Sequence, residues 1–420
     1  MRFLTSFRIS SAKWAAMLLL PAVWFLVIEW ARFAQVGFGT AVAEAASFPV
    51  FAIAALCSAC ATWEAGRLRR SRIWSLAPVH TRLRVAANAL LPVVTLACAA
   101  IGLGLVAGSV DLGVLPDGAG ASSIASTLAV VLSYIIIGFS LGCVVHRTLA
   151  APLMLLGVYL WMTVPASSNV MWIRHLTGEQ ITSSTVTDSV SFTAFIAPVL
   201  LSGGVAIGLA LLSSTIRPKA LRGGVAMSCA VVGTLLAYLM VANWGPDAPM
   251  IARTGATVCA QSKPKICVPR EFEPQIPRFH KAATEVMLRL KTAGLDAPDT
   301  LALVSKRTEV SSTTWRFDPS PEESNEALRV TVALSAIPAL PDCFADNEGY
   351  SGSKEGIRSW LLLTAGVDRD TVASQADPKQ MRSAIAALKM SKTSQIRWFH
   401  STIRALKSCS ATPEPADAAS

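Results

Sequence analysis

Apolar runs of about 20 residues, each long enough to cross roughly 30 Å of hydrocarbon as a helix, recur along this chain up to Gly245. Read in order they predict spans over about Trp14–Phe33, Val42–Thr62, Val85–Val110, Ile124–Val145, Leu149–Ala166, Ser191–Ser213 and Gly223–Asn243. Charged residues make up 15% of the chain, against about 25% in soluble domains, and the deficit lies in this half. From Pro246 onward the composition is that of an ordinary soluble domain. The expectation is an α-helical polytopic bundle of about seven spans over 1–245, an α+β domain over 246–409 and a disordered Pro/Ala/acidic tail over 410–420.

The stretch Trp63–Arg84 holds six arginines and one acid between two apolar runs. An arginine at the bilayer centre costs roughly 2.5–3.5 kcal/mol even on the lenient insertion scale, and short basic loops stay in the cytoplasm. The first 13 residues carry Arg2, Arg8 and Lys13, which places the N-terminus on the same side. With seven spans, the inner segments hold 13 Lys/Arg and the outer loops before Pro246 hold two, Arg32 and Arg174. This asymmetry predicts a multi-pass plasma-membrane protein, N-terminus inside and C-terminal domain extracytoplasmic. A cleaved signal peptide ending at Ala41-Val42-Ala43 is disfavoured, because the apolar core is long for one and the site lies well past its end. The net charge of +10 resides largely in these loops, which is a topology signal and not a nucleic-acid groove.

Two features inside the spans bear on function. Gly138-x-x-x-Gly142 and Gly204-x-x-x-Gly208 match a close-packing pattern that serves either packing within one bundle or a homodimer face. Glu29 and Arg32 are spaced to pair on one helix face, and Glu44 lies near the outer start of the second span. No span has a central charge, which argues against a proton-coupled carrier or a channel with a charged ring.

Beyond Pro246, Cys259, Cys267, Cys343 and Cys409 form an even set, which in an oxidising compartment suggests disulfides. Three connectivities exist; the favoured one is Cys259–Cys267 with Cys343–Cys409. Zinc is disfavoured because no histidine accompanies the pair at ligand spacing. The cysteines of the first half, Cys57, Cys60, Cys98, Cys143 and Cys229, read as inert core residues, Cys57-x-x-Cys60 included. Helices are expected over Glu273–Ala293, Lys354–Gly366, Pro378–Met390 and Thr393–Lys407, and strands over Thr300–Ser305 and Ala327–Ala336.

The sequence has no P-loop and no H-E-x-x-H, and none of its five histidines lies in a metal or catalytic motif. It predicts neither an enzyme nor a bound cofactor or metal. The several spans, the W-E-x-G-R-x-R-R loop after the second and the tail opening with C-x7-C-V-P together resemble actinobacterial permease-type membrane proteins, which are similar to the membrane subunits of ABC exporters. The resemblance covers the plan of 1–245 and the run Val258–Pro269. It implies that Trp63–Arg84 contacts a separate ATPase through Glu64, Arg67, Arg69, Arg70 and Arg72, the bundle being an export permease. Such permeases have six spans and both ends inside, whereas this chain reads as seven with an outer tail. Two other readings compete: the basic loop as a topology signal that binds anionic membrane lipid, and the outer domain as an anchored sensor or scaffold without transport.

Overall fold

The structure, a computed structural model, describes residues 7, 9–71, 82–213, 219–311, 313–320, 323–338, 340 and 348–409. Packing divides the chain into two compact units, Met1–Ile251 and Ala252–Ser420.

The first unit contains helices α1 (Ala12–Ala31), α2 (Gly39–Ser47), α3 (Val50–Arg70), α4 (Arg82–Leu112), α5 (Ala121–Val144), α6 (Arg147–Thr163), α7 (Phe192–Ser213) and α8 (Lys219–Val241). Six of these are long and apolar enough to cross a membrane; α2 and α3, bent by 40° at a short break, add a seventh if counted as one span. The single run expected over Val42–Thr62 is thus a broken helix. Its break falls at Phe48-Pro49, where the proline lacks the N–H that would continue the helical ladder and itself leaves helical geometry. Every residue of α2 is buried. On the outside, α1 exposes Met17, Leu18 and Phe25, and α8 exposes Val231, Leu235 and Leu239, the apolar exterior that hydrocarbon requires.

Helix α3 packs against α5 and α6, α1 and α2 pack against α4, and α7 packs against α5 and α8. Glycine sets two of these approaches. A Cβ on Gly138 would overlap the Ser58 carbonyl oxygen and one on Gly142 that of Thr62, while Thr62 Oγ1 donates to the Gly138 carbonyl at 2.9 Å. In the same way Gly204 and Gly208 lie against the α8 backbone at Cys229, Gly233 and Ala226. Both small-residue patterns therefore serve packing within this bundle, where close approach replaces the hydrophobic effect as the driving force.

The second unit has a four-stranded sheet of β3 (Thr257–Cys259), β4 (Lys265–Pro269), β5 (Thr300–Ala302) and β6 (Thr314–Arg316) in that order; β1 (Asp188–Val190) and β2 (Met250–Ala252) form a separate pair. Strand β3 is antiparallel to β4, whereas β4, β5 and β6 run parallel. Ile266, Val268, Leu301 and Leu303 are buried under α9 (Ile276–Thr292), whose Phe279 meets Phe272 and Phe317. The remaining helices are α10 (Asn325–Leu334), α11 (Glu348–Thr364), α12 (Arg369–Gln375), α13 (Pro378–Lys389) and α14 (Lys392–Lys407). Trp360 of α11 meets Trp398 edge-to-face and Phe399 at a tilt, both on α14, and donates Nε1–H to Gln395 at 3.0 Å.

The strand expected over Ala327–Ala336 is a helix. Ser324 caps α10 by accepting from the Ala327 N–H, and Leu328 and Val332, one turn apart, are its buried face. Capping and i,i+4 burial outweigh the β-branched content of Val330, Thr331 and Val332.

Candidate functional site

The last turns of α3 carry the residues expected to face a partner. Glu64 does not face outward: its side chain is fully buried. Its Oε1 accepts from the Ser11 N–H at 2.8 Å, from Ser11 Oγ at 3.0 Å and from Ser10 Oγ at 3.1 Å. Its Oε2 pairs with Arg67 Nη2 at 2.7 Å. Ser11 is the N-cap of α1 and its own side chain caps nothing. A carboxylate from α3 therefore fills the acceptor role at the positive end of α1. Burying a lone carboxylate would cost several kcal/mol; the three donors and the guanidinium offset that.

Arg67, half-buried, also donates to the Ile9 carbonyl at 2.8 Å. Arg69 donates to the carbonyl of Val144, the last residue of α5, whose C-terminal carbonyls have no helical partner. Arg69 and Arg70 are exposed; Arg72 lies outside the described residues. The four described residues thus do not form one open surface. Two of them tie α3 to the start of α1, one ties it to the end of α5, and Arg70 is turned to solvent.

The turn between α5 and α6 completes this end of the bundle. Arg147 lies with its guanidinium 4.6 Å from the Trp63 ring centroid, a cation–π distance. Its Cβ sits where a side chain on Gly66 would be. The tryptophan and glycine of the W-E-x-G motif are thereby accounted for as the seat of Arg147.

The start of the broken span holds a second polar cluster that sequence reasoning did not assemble. Glu44 of α2 is buried, and both its oxygens accept from the Ser184 N–H, at 3.0 and 3.1 Å. Ser47 Oγ lies 2.8 Å from Ser123 Oγ, to which Gln180 Nε2 donates at 2.6 Å. Thr40 Oγ1 donates to the Asp117 carboxylate at 2.9 Å. Ser184 is thus tied to α2 and Gln180 to α5. A cavity of about 30 Å³ lies among Ser126, His175, Glu179, Gln180, Thr182 and Phe195, room for about one water. Burial pushes the Glu179 carboxyl up from its ordinary value, and its Oε2 is buried without a hydrogen-bond partner among the described residues. Glu29 and Arg32 pair at 3.1 Å, as their spacing predicts.

Cys259 and Cys267 are cross-strand neighbours in β3 and β4 and are disulfide-bonded. Cys409 is disulfide-bonded too; Cys343 lies outside the described residues. Cys57, Cys60, Cys98, Cys143 and Cys229 are free thiols, of which only Cys57 and Cys60 are buried, so the expectation that all five sit in the core holds for two. Gly138-Phe139-Ser140-Leu141-Gly142 spells G-x-S-x-G, but it lies inside α5 and not at the strand-to-helix turn that exposes a nucleophile. Among the described residues no group of three or more His, Cys, Asp or Glu side chains is placed to hold a metal.

A family model described as a domain of unknown function, DUF7224, matches residues 266–409, which lie in the second unit. No curated protein and no solved structure matches the chain.

Proposed function

We propose that this chain is the membrane subunit of an export system powered by a separate ATPase, with residues 1–13 and the α3–α4 connection in the cytoplasm of a plasma membrane and the second unit outside. The orientation reading is supported by the 13-to-2 distribution of Lys/Arg over alternate segments and by the Cys259–Cys267 disulfide, a bond that persists in oxidising compartments. The observation that carries the docking reading is the anchoring of the α3 end. Glu64 and Arg67 bind it to Ser11, the N-cap of α1, and to Ile9 just before it, and Arg69 binds it to the last residue of α5. A displacement applied at Arg70, and at Arg72 in the connection, is passed to three helices at once, as nucleotide-driven rocking of a bundle requires.

Two measurements test this. A membrane-impermeant amine reagent applied to intact cells should label the exposed Lys263 and Lys265; labelling only after lysis would reverse the orientation. Arg70→Ala with Arg72→Ala should abolish co-purification of the ATPase while the variant stays folded. Unchanged co-purification would sink the docking surface.

The alternative reading, an anchored sensor or scaffold, has one feature in its favour. The second unit carries an open groove lined by Leu288, Arg289, Thr292, Ala293, Thr364 and Lys392. A ligand held there, with transport unaffected by deleting the second unit, would favour it.

A further inference from the structure

The last two helices of the second unit concentrate charge of one sign. From Pro378 to Pro413 the chain has seven Lys/Arg and no Asp or Glu, whereas residues 252–377 hold 15 Lys/Arg and 17 Asp/Glu. Bases in that earlier part pair with acids, Arg253 with Glu271, Lys263 with Asp299 and Arg329 with Glu285. Among the described residues no carboxylate pairs with a base of α13 or α14. Of the seven bases, Lys392 is tied down, donating to the Thr292 carbonyl at 2.9 Å.

On α14 the remaining bases fall in a line. Arg397, His400, Arg404 and Lys407 are spaced three, four and three apart, which at about 100° per residue confines them to an arc of about 80°. All four are exposed. The opposite face, with Trp398, Thr402 and Leu406, is buried, and α14 packs on α11. The stripe therefore runs along the outer side of a seated helix for about 15 Å. The three bases of α13 are exposed as well and add to the same positive field.

We propose that the α14 stripe docks on the anionic headgroup surface of the membrane that the first unit spans. Charge complementarity requires an anionic occupant, and the tether selects the lipid surface. Ten residues separate Val241, the end of α8, from Ala252, the start of the second unit, at most about 35 Å of extended chain. A unit held that close meets the headgroups intramolecularly, at high effective concentration, and a helix with one basic face suits such a surface. The inference rests on the first unit crossing a membrane and needs neither an ATPase nor export.

The test is side-chain footprinting of the full-length protein in nanodiscs of dioleoyl-phosphatidylcholine alone or of its equimolar mixture with dioleoyl-phosphatidylglycerol. Amine- and guanidine-directed reagents are read by mass spectrometry at Arg397, Arg404 and Lys407. Modification there should slow about fivefold or more in the anionic discs, the factor expected of one basic residue near such a surface. Lys263 and Lys265, exposed on the sheet side, should not change. Protection should vanish in 1 M salt, where charges are screened beyond about 3 Å. Arg397→Gln with Arg404→Gln should lower protection of Lys407, and His400→Glu, which places an acid mid-stripe, should do the same; these side chains are exposed, so the fold should stand. Equal modification in the two lipids, or protection of Lys407 unchanged in both variants, would overturn the proposal. So would protection in zwitterionic discs that is lost on removing residues 410–420, since it would give the face to the acidic tail carrying Glu414 and Asp417.

Discussion

The broken span holds a buried carboxylate near each end, and the two are treated differently. Glu64 has three hydrogen-bond donors and a guanidinium partner. Glu44 has a backbone N–H shared between its oxygens, and among the described residues no lysine, arginine or histidine pairs with it. The first arrangement joins helices α1 and α3 through side chains that suit an ionised acid. The second joins a helix to a loop through a single amide that a neutral carboxamide can equally satisfy. The comparison separates a staple, whose charge matters, from a latch, whose shape matters.

Four substitutions test that contrast, from the largest effect to the smallest. Glu64→Ala strips the α1 terminus of its acceptor and leaves Arg67 without its acid. The expected loss is about 3 kcal/mol, at the low edge for a broken buried pair because Arg67 is 39% exposed. Thermal unfolding in detergent reads it, and a loss below ~1 kcal/mol would remove the staple from the account. Gly142→Val drives a side chain into the α3 backbone at Thr62, two residues before Glu64. It should cost about 1–3 kcal/mol by overpacking, and cross-linking between cysteines placed at Ser11 and Ala65 should fall with it. Glu44→Gln keeps an acceptor for Ser184 and should cost less than about 1 kcal/mol, whereas Glu64→Gln loses its ion pair and should cost more. Equal effects of the two amides would erase the distinction.

The smallest effect is a pH dependence at the latch. Because burial raises the Glu179 carboxyl above its unfolded value, the folded loop binds the proton more tightly than the unfolded one. Its stability is full below the ordinary carboxylate value and declines as pH rises through the folded value. Hydrogen exchange over residues 176–190 should quicken across that window in wild type and stay flat in Glu179→Gln. Exchange that slows with rising pH, after correction for intrinsic rates, would contradict the burial argument.

Much of the first unit was legible because the spacing of apolar residues against the length of a helix is a strong signal. The Glu29–Arg32 pair was legible for the same reason, being local. The break at Pro49 was not, since one proline in an apolar run kinks some membrane helices and interrupts others, as Pro21 and Pro92 inside α1 and α4 illustrate. Glu64 was read as one of the partner-facing residues of the basic stretch. The residues that bury it, Ser10 and Ser11, lie more than 50 positions away, and charge counting is blind to which face of α3 turns inward. The cluster around Glu44 escaped for the same reason: its partners come from α2, α5 and residues 180–184. In the second unit, Cys259 and Cys267 identified their own hairpin. The strand expected over Thr300–Ser305 is β5 (Thr300–Ala302), but β3 and β6, three residues long, are shorter than the alternation that reveals a strand, and α10 was hidden by β-branched residues.

The central claim is that the anchored end of α3 receives a driving subunit. Its most direct measurement is purification of the full-length protein in mild detergent, with identification and stoichiometry of what accompanies it. The account predicts a P-loop ATPase in fixed ratio to the chain, lost on substituting Arg70 and Arg72. Folded protein purified without any ATPase, under conditions that preserve the Glu64 staple, would contradict it.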